Sequence, residues 1–189
     1  MKVILIQGAK NTGKTTLCNR IDEWLQNNRI YEQQQLISNR KNGQKSPIKE
    51  ITKIEVIKQI LPNNDFYAVY DIQFSTKKNE PVIVENEPVI IENKRVIINT
   101  LSDNNEITVF EDFYNNNKNN GYDIFITTIR GGGSPKKVIK EFYEKELKSI
   151  SLPPKASGII NLSKNPITNV VESYAMLYYE FIPLFEKLI

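Results

Sequence analysis

The residues best equipped for chemistry sit near the start of the chain, in Gly8-Ala9-Lys10-Asn11-Thr12-Gly13-Lys14-Thr15. Two glycines, a lysine and a hydroxyl recur there at the spacing G-x-x-x-x-G-K-[ST], and the chemistry this spacing serves is the holding of phosphate. Gly8 and Gly13 permit backbone conformations that turn successive amides of Ala9, Lys10, Asn11 and Thr12 inward toward an anion. Lys14 brings a cation to the β- and γ-phosphates of a triphosphate, and the Thr15 hydroxyl is a ligand for Mg²⁺. Thr16 adds a further amide at the start of the helix that follows, whose N-terminus favours negative charge.

A short pattern of this kind also arises by chance in glycine loops, so its setting matters. Lys2 to Gln7 is a short β-branched apolar run without polar alternation, as in a strand buried on both faces. Thr15 to Gln26 carries Leu17, Cys18, Ile21, Trp24 and Leu25 at helical spacing. Strand, glycine loop and amphipathic helix in this order resemble the P-loop NTPase superfamily, with Gly8 to Thr15 as its Walker A segment. The resemblance covers this first unit firmly and the rest of the chain by element order. It implies bound ATP (or GTP) with Mg²⁺, held by residues 8–16. The partitioning type of P-loop has a lysine directly after its first glycine, where this chain has Ala9, with Lys10 one place later. The base-reading Asn-Lys-x-Asp of GTPases is matched neither by Thr127-Thr128-Ile129-Arg130 nor by Asn161-Leu162-Ser163-Lys164. ATP or relaxed base selection is therefore expected over strict GTP.

Magnesium normally also needs a carboxylate at the end of a neighbouring strand. Val96-Ile97-Ile98 is the clearest buried strand, and it ends in Asn99 where that acid is expected. Asp103 follows in Thr100-Leu101-Ser102-Asp103, which looks like a distant relative of the Asp-x-x-Gly segment of P-loop proteins with both key residues changed. Asp103 either reaches the metal through water or caps a turn. Asp71 is the other candidate for the metal, against the alternative of a solvent-facing strand residue. Asp123 opens its strand, the wrong end for a site at the carboxyl ends of strands. Arg130 directly follows a buried strand, and Gly131 to Gly133 would let its loop approach phosphate, so Lys14, Arg130 and Asp103 form the candidate catalytic set. The alternative for Arg130 is a solvated turn.

Around these residues the chain alternates strands and helices. Ile48 to Leu61, with isoleucines at 48, 51, 54, 57 and 60, predicts a short amphipathic helix ended by Pro62. Asp65 to Ser75 predicts a strand with Phe66, Ala68, Tyr70 and Ile72 on one side and Tyr67, Val69 and Asp71 on the other. Glu80 to Asn86 and Glu87 to Asn93 are near-copies that predict a hairpin turning at Asn86-Glu87. Further expectations are a helix over 107–117, strands at 122–128 and 158–162, a helix over 135–150, and a closing aromatic helix over 166–189. The alternation predicts one three-layer α/β/α domain over 1–189 around a mostly parallel sheet, with insertions at about 30–61 and 79–93.

Composition narrows the function classes. The 189 residues contain no histidine and a single cysteine, Cys18, so imidazole-based zinc sites and an internal disulfide are excluded. Cys18 reads as a small buried hydrophobe. A formal charge of +3 gives no strong nucleic-acid signal. No apolar run approaches the ~18 residues of a membrane span, so a cytoplasmic, reducing location and no membrane partner are expected. Two function classes follow: an Mg²⁺-dependent NTPase or small-molecule kinase, and a nucleotide-responsive binding module with little turnover. A phosphate-bearing ligand other than a nucleotide is the third reading of the loop.

Overall fold

A computed structural model describes residues 1–26, 48–76, 90–101, 107–130 and 156–189. Strand β1 (Lys2–Gly8) leads through the glycine loop into α1 (Lys14–Gln26). Then come β2 (Ile48–Ile60), a 3₁₀ turn (Pro62–Asn64), β3 (Phe66–Thr76) and β4 (Ile90–Asn99). Helix α2 (Ile107–Asn116), β5 (Ile124–Arg130) and β6 (Gly158–Asn161) follow. The chain closes with α3 (Val170–Met176), a π-helical turn (Leu177–Phe181) and α4 (Ile182–Glu186). The expected helix over 135–150, most of the repeat over 80–93, the 39–46 loop, Asp103 and Gly131 to Gly133 lie outside the described residues.

The six strands form one sheet in the order β2-β3-β4-β5-β1-β6. Strands β4, β5, β1 and β6 are mutually parallel, and β3 runs opposite to both of its neighbours, β4 and β2, so the sheet is mixed. Alternate residues of each strand feed separate apolar layers, as a period of two requires. Ile4, Ile6, Ala68, Tyr70, Val96, Ile98, Ile124 and Ile126 pack with α1 and the C-terminal helical segment. Val3, Leu5, Tyr67, Val69, Ile97 and Phe125 pack on the opposite side with Phe110 and Phe113 of α2. Helical residues thus contribute to both apolar layers.

The predicted helix over 48–61 is a strand instead. Its register against β3 slips between Ile48 and Glu50 and again between Lys53 and Glu55. Each slip places one extra residue in β2, and Ile54 at the second slip is 59% exposed. Beyond it, Val56, Lys58 and Ile60 pair with Tyr70, Ala68 and Phe66 on the α1 side, while Ile57 pairs with Val69 on the other. The three-residue spacing of isoleucines therefore follows no single face of the strand: Ile54 falls at a bulge, and Ile57 and Ile60 fall on opposite faces. The second repeat copy is continuous with β4, where Ile90 to Asn93 pair with Thr76 to Gln73 of β3.

The closing helix begins at Asn169, whose side chain accepts from the Glu172 amide at 2.9 Å. Glu172 reaches back to the Thr168 amide at 2.6 Å, which makes a reciprocal cap. Its middle widens into the π turn ahead of Pro183, which has no N–H to donate one turn back. Phe181 and Phe185 meet Trp24 of α1 edge-on, with centroids 5.8 and 5.3 Å away. The aromatic residues of this segment therefore serve the core, with Tyr179 left exposed. Among the described residues no helix is long and apolar enough to cross a membrane.

Candidate functional site

Strand β1 lies between β5 and β6, so the chain reaches its two neighbours through crossovers to opposite sides. In open α/β sheets the crevice at the carboxyl ends of strands, where the order reverses, is where ligands bind. The glycine loop leaves β1 at that point. Within it, Asn11 and Gly13 take left-handed backbone angles, with φ of 62° and 86°. Asparagine and glycine are the residues that adopt this region at low cost. A Cβ on Gly13 would stand 2.6 Å from the Ile167 Cβ, and one on Gly8 would stand 2.2 Å from Thr12 Oγ1. Gly13 is therefore required by close approach and by its positive φ, and Gly8 by close approach alone.

Neighbouring segments hold the loop from outside. Ile167 donates its amide to the Thr12 carbonyl at 3.1 Å, and Leu162 donates to Gln7 at 2.8 Å. Lys14 is buried, and its Nζ donates to the Gly8 and Ala9 carbonyls at 3.0 and 2.7 Å. Its ammonium is thereby folded back onto the first two carbonyls of the loop itself. Lys10 is exposed, and Thr16 is exposed in the first turn of α1.

The acid beside the loop is Asp65. Its Oδ1 accepts from Thr15 Oγ1 at 2.9 Å and lies 3.1 Å from Thr100 Oγ1. Because β3 runs opposite to β4, its first residues stand at the same edge of the sheet as the last residues of β4. Phe66 and Thr100 lock this junction: the Thr100 amide donates to the Phe66 carbonyl at 3.0 Å, and the Phe66 amide donates to Thr100 Oγ1 at 2.7 Å. Asn64, with φ of 64°, turns the chain into the strand, and Leu61 donates to the Asp65 carbonyl at 2.8 Å. The sequence rule that placed acids only at strand ends passed over Asp65. No signal in the sequence could have found it, because the residue pattern does not specify the direction in which the Asp65 to Ser75 strand pairs.

The other expected residues fall as follows. Arg130 is the last residue of β5 and the ladder partner of Gly8, so the structure brings it to the loop. Adjacent strands lie about 4.8 Å apart, which puts its backbone directly beside the first glycine. Asp71 is not brought there. It stands six residues along β3 from Asp65, roughly 20 Å at ~3.4 Å per residue. Both of its oxygens accept from Arg95 Nη1, at 3.1 and 2.8 Å. Asn99, at the end of β4, forms a turn of its own: its Oδ1 accepts from the Leu101 amide at 3.0 Å, and its Nδ2 is 3.3 Å from Thr127 Oγ1. Thr128 donates to the Thr100 carbonyl at 2.7 Å. The buried edge beneath the loop is thus built from amide and hydroxyl groups, and Asp65 supplies the carboxylate.

Burial and the nearby Asp65 charge push the Cys18 thiol far above its ordinary range, so it stays a neutral core group. A magnesium ion fits Thr15 and Asp65 in donor chemistry, since Mg²⁺ is held by one or two protein oxygens with phosphate and water completing its shell. No group of three or more His, Cys, Asp or Glu residues that could hold a metal by itself occurs among the described residues. No family model matches the chain, and neither a curated protein nor a solved structure is similar to it.

Proposed function

We propose that the chain is a P-loop protein that binds a nucleoside triphosphate, ATP in the first instance, together with Mg²⁺. On this reading the two apolar layers and their helices belong to the three-layer P-loop architecture. The observation that carries it is the loop itself: a glycine segment between a buried strand and a helix N-terminus, with the Lys14 ammonium held against its carbonyls and Thr15 hydrogen-bonded to Asp65. The backbone amides of residues 9–15 and the Lys14 ammonium bind the β- and γ-phosphates. Thr15 and Asp65 hold the ion, which neutralises charge on the phosphate oxygens when bound. Arg130, beside Gly8, is positioned to stabilise charge on the transferring group, and Asp103 remains a candidate contact through water. The reaction that suits these parts is Mg²⁺-dependent NTP hydrolysis or phosphoryl transfer to a small acceptor.

One observation favours the second reading, a nucleotide-responsive module with little turnover. The parallel strands β4 and β5 end in Asn99 and Arg130, so among the described residues neither strand carries an acid at that end. Both readings share a first test. MgATP at 100 times its Kd stabilises the fold by about 2.7 kcal/mol, and the rise in melting temperature is absent in Lys14→Ala. Labelled ATP then separates them: phosphate release or transfer lost in Lys14→Ala marks the enzyme, and binding without turnover marks the module. Failure of both ATP and GTP to raise the melting temperature would overturn the nucleotide reading.

A further inference from the structure

Beside Thr15 and Asp65 lies an open pocket of about 200 Å³, lined by Asn19, Lys58, Ile60, Asn64 and Phe66. The chain fixes its place. Asn19 stands one turn beyond Thr15 on α1, roughly 6 Å along the axis at ~1.5 Å per residue. Asn64 and Phe66 flank Asp65 directly. The pocket therefore adjoins the metal side of the phosphate loop. Its volume is below the ~300–1,000 Å³ of sites for drug-sized ligands, so its occupant is compact.

The lining defines the occupant's chemistry. Lys58 is a cation in a strand row that otherwise faces an apolar layer, and its Nζ lies 4.3 Å from the centre of the Phe66 ring. Its partner Asp22, 2.6 Å away, is buried toward the core and also accepts from Tyr70 and Gln26. The ion pair thus keeps its negative end inside and turns its positive end toward the pocket. Asn19 and Asn64 add side chains that can donate amide hydrogen bonds, and Ile60 and Phe66 supply apolar wall. We infer that this pocket is the subsite of a compact organic anion, a carboxylate or phosphate monoester with a short carbon body. Its role as second substrate rests on the nucleotide reading; the binding itself does not.

The test uses ¹⁵N-labelled full-length protein, with the side-chain amides of Asn19 and Asn64 as reporters. Glycolate and glycerol 1-phosphate are the anionic probes and glycerol is the neutral one. Saturable shifts of both amides are expected with at least one anion and none with glycerol, the two anions deciding between carboxylate and phosphate. Lys58→Met should weaken the response at least tenfold. Asn19→Met, which leaves the Lys58–Asp22 pair intact, should do the same without loss of fold. Anion binding should persist in Lys14→Ala. A response lost in Lys14→Ala but kept in Asn19→Met places the anion in the phosphate loop and overturns the inference, as does a response to glycerol alone or to no probe. Anion binding in a protein that ignores ATP leaves the pocket standing and removes the nucleotide reading instead.

Discussion

Among single residues, Asp65 decides most of the proposed chemistry. It sits at the start of a strand, a place that a parallel sheet would put far from the loop. Reversal of β3 brings that start to the ligand edge, and the Thr100–Phe66 hydrogen bonds fix the carboxylate against Thr15. Replacement by asparagine keeps the shape and one acceptor while removing the charge. Asp65→Asn is expected to weaken Mg²⁺-supported ATP binding about 10–100-fold, the range for loss of groups that orient a metal site. Binding measured in excess chelator should change little, because phosphate amides and Lys14 are untouched. Calorimetric titrations with and without Mg²⁺ check this, and Asp71→Asn, whose carboxylate is committed to Arg95, serves as the matched control with unchanged affinity. Equal losses in the presence and absence of Mg²⁺ would assign Asp65 to loop packing alone.

At the scale of elements, the first strand, the glycine loop, α1, strands β3, β5 and β6 and the second half of β4 were legible because their patterns are local: buried β-branched runs, a glycine spacing, a helical stripe. Residues 90–93, expected in a separate hairpin, instead extend β4 along β3. Strand β2 was not legible. Its isoleucines recur every third residue and so fall on both faces and at a bulge, a spacing that mimics a helix until the ladder with β3 is known. The direction of β3 was equally hidden, since alternation specifies faces and says nothing of which way a strand runs. That one long-range fact separated the acid the sequence suggested from the one that touches Thr15. The C-terminal helical segment carries a prediction of its own. Backbone and side-chain hydrogen bonds from Thr168, then Asn169, hold the Glu172 carboxyl below its ordinary value of 4.5. A carboxylate with a depressed folded pKa contributes stability that is present above the unfolded value and lost as pH falls through the folded one. The helix start should therefore weaken as pH drops below about 4.5, the unfolded value. Melting curves of wild type and Glu172→Gln taken between pH 6 and roughly pH 3 should converge at the acid end. Parallel curves across that range would show that the cap charge has no part in acid stability.

For the whole molecule, the position of the glycine loop depends on how α1 is held, because the loop is the short link between β1 and that helix. Two different kinds of contact hold it. Trp24 is set edge-on into Phe181 and Phe185, a tie to the C-terminal segment made of apolar area. Asp22 is a polar tie, joining α1 to β2 through Lys58 and to β3 through Tyr70. Burial and the Asp22 charge push the Tyr70 phenol far up, so it remains a donor at any pH the fold survives. The polar tie links the loop's helix to the antiparallel strands that carry Asp65, and its members should be unequal. Tyr70→Phe removes one of three donors and leaves Asp22 satisfied by Lys58 and Gln26, at a cost of about 1 kcal/mol. Lys58→Met leaves a buried carboxylate without a cation and should cost about 3–5 kcal/mol. Because both act on one carboxylate, the double variant should depart from the sum of the singles by at least 0.5 kcal/mol, outside the additivity of distant sites. Urea unfolding of the four proteins measures all three quantities. A Lys58→Met cost below about 1 kcal/mol would reclassify the pair as a solvent-screened surface contact. In that case α1 would be held against the sheet by its aromatic seam and apolar stripe, and Lys58 would be free to serve the pocket alone.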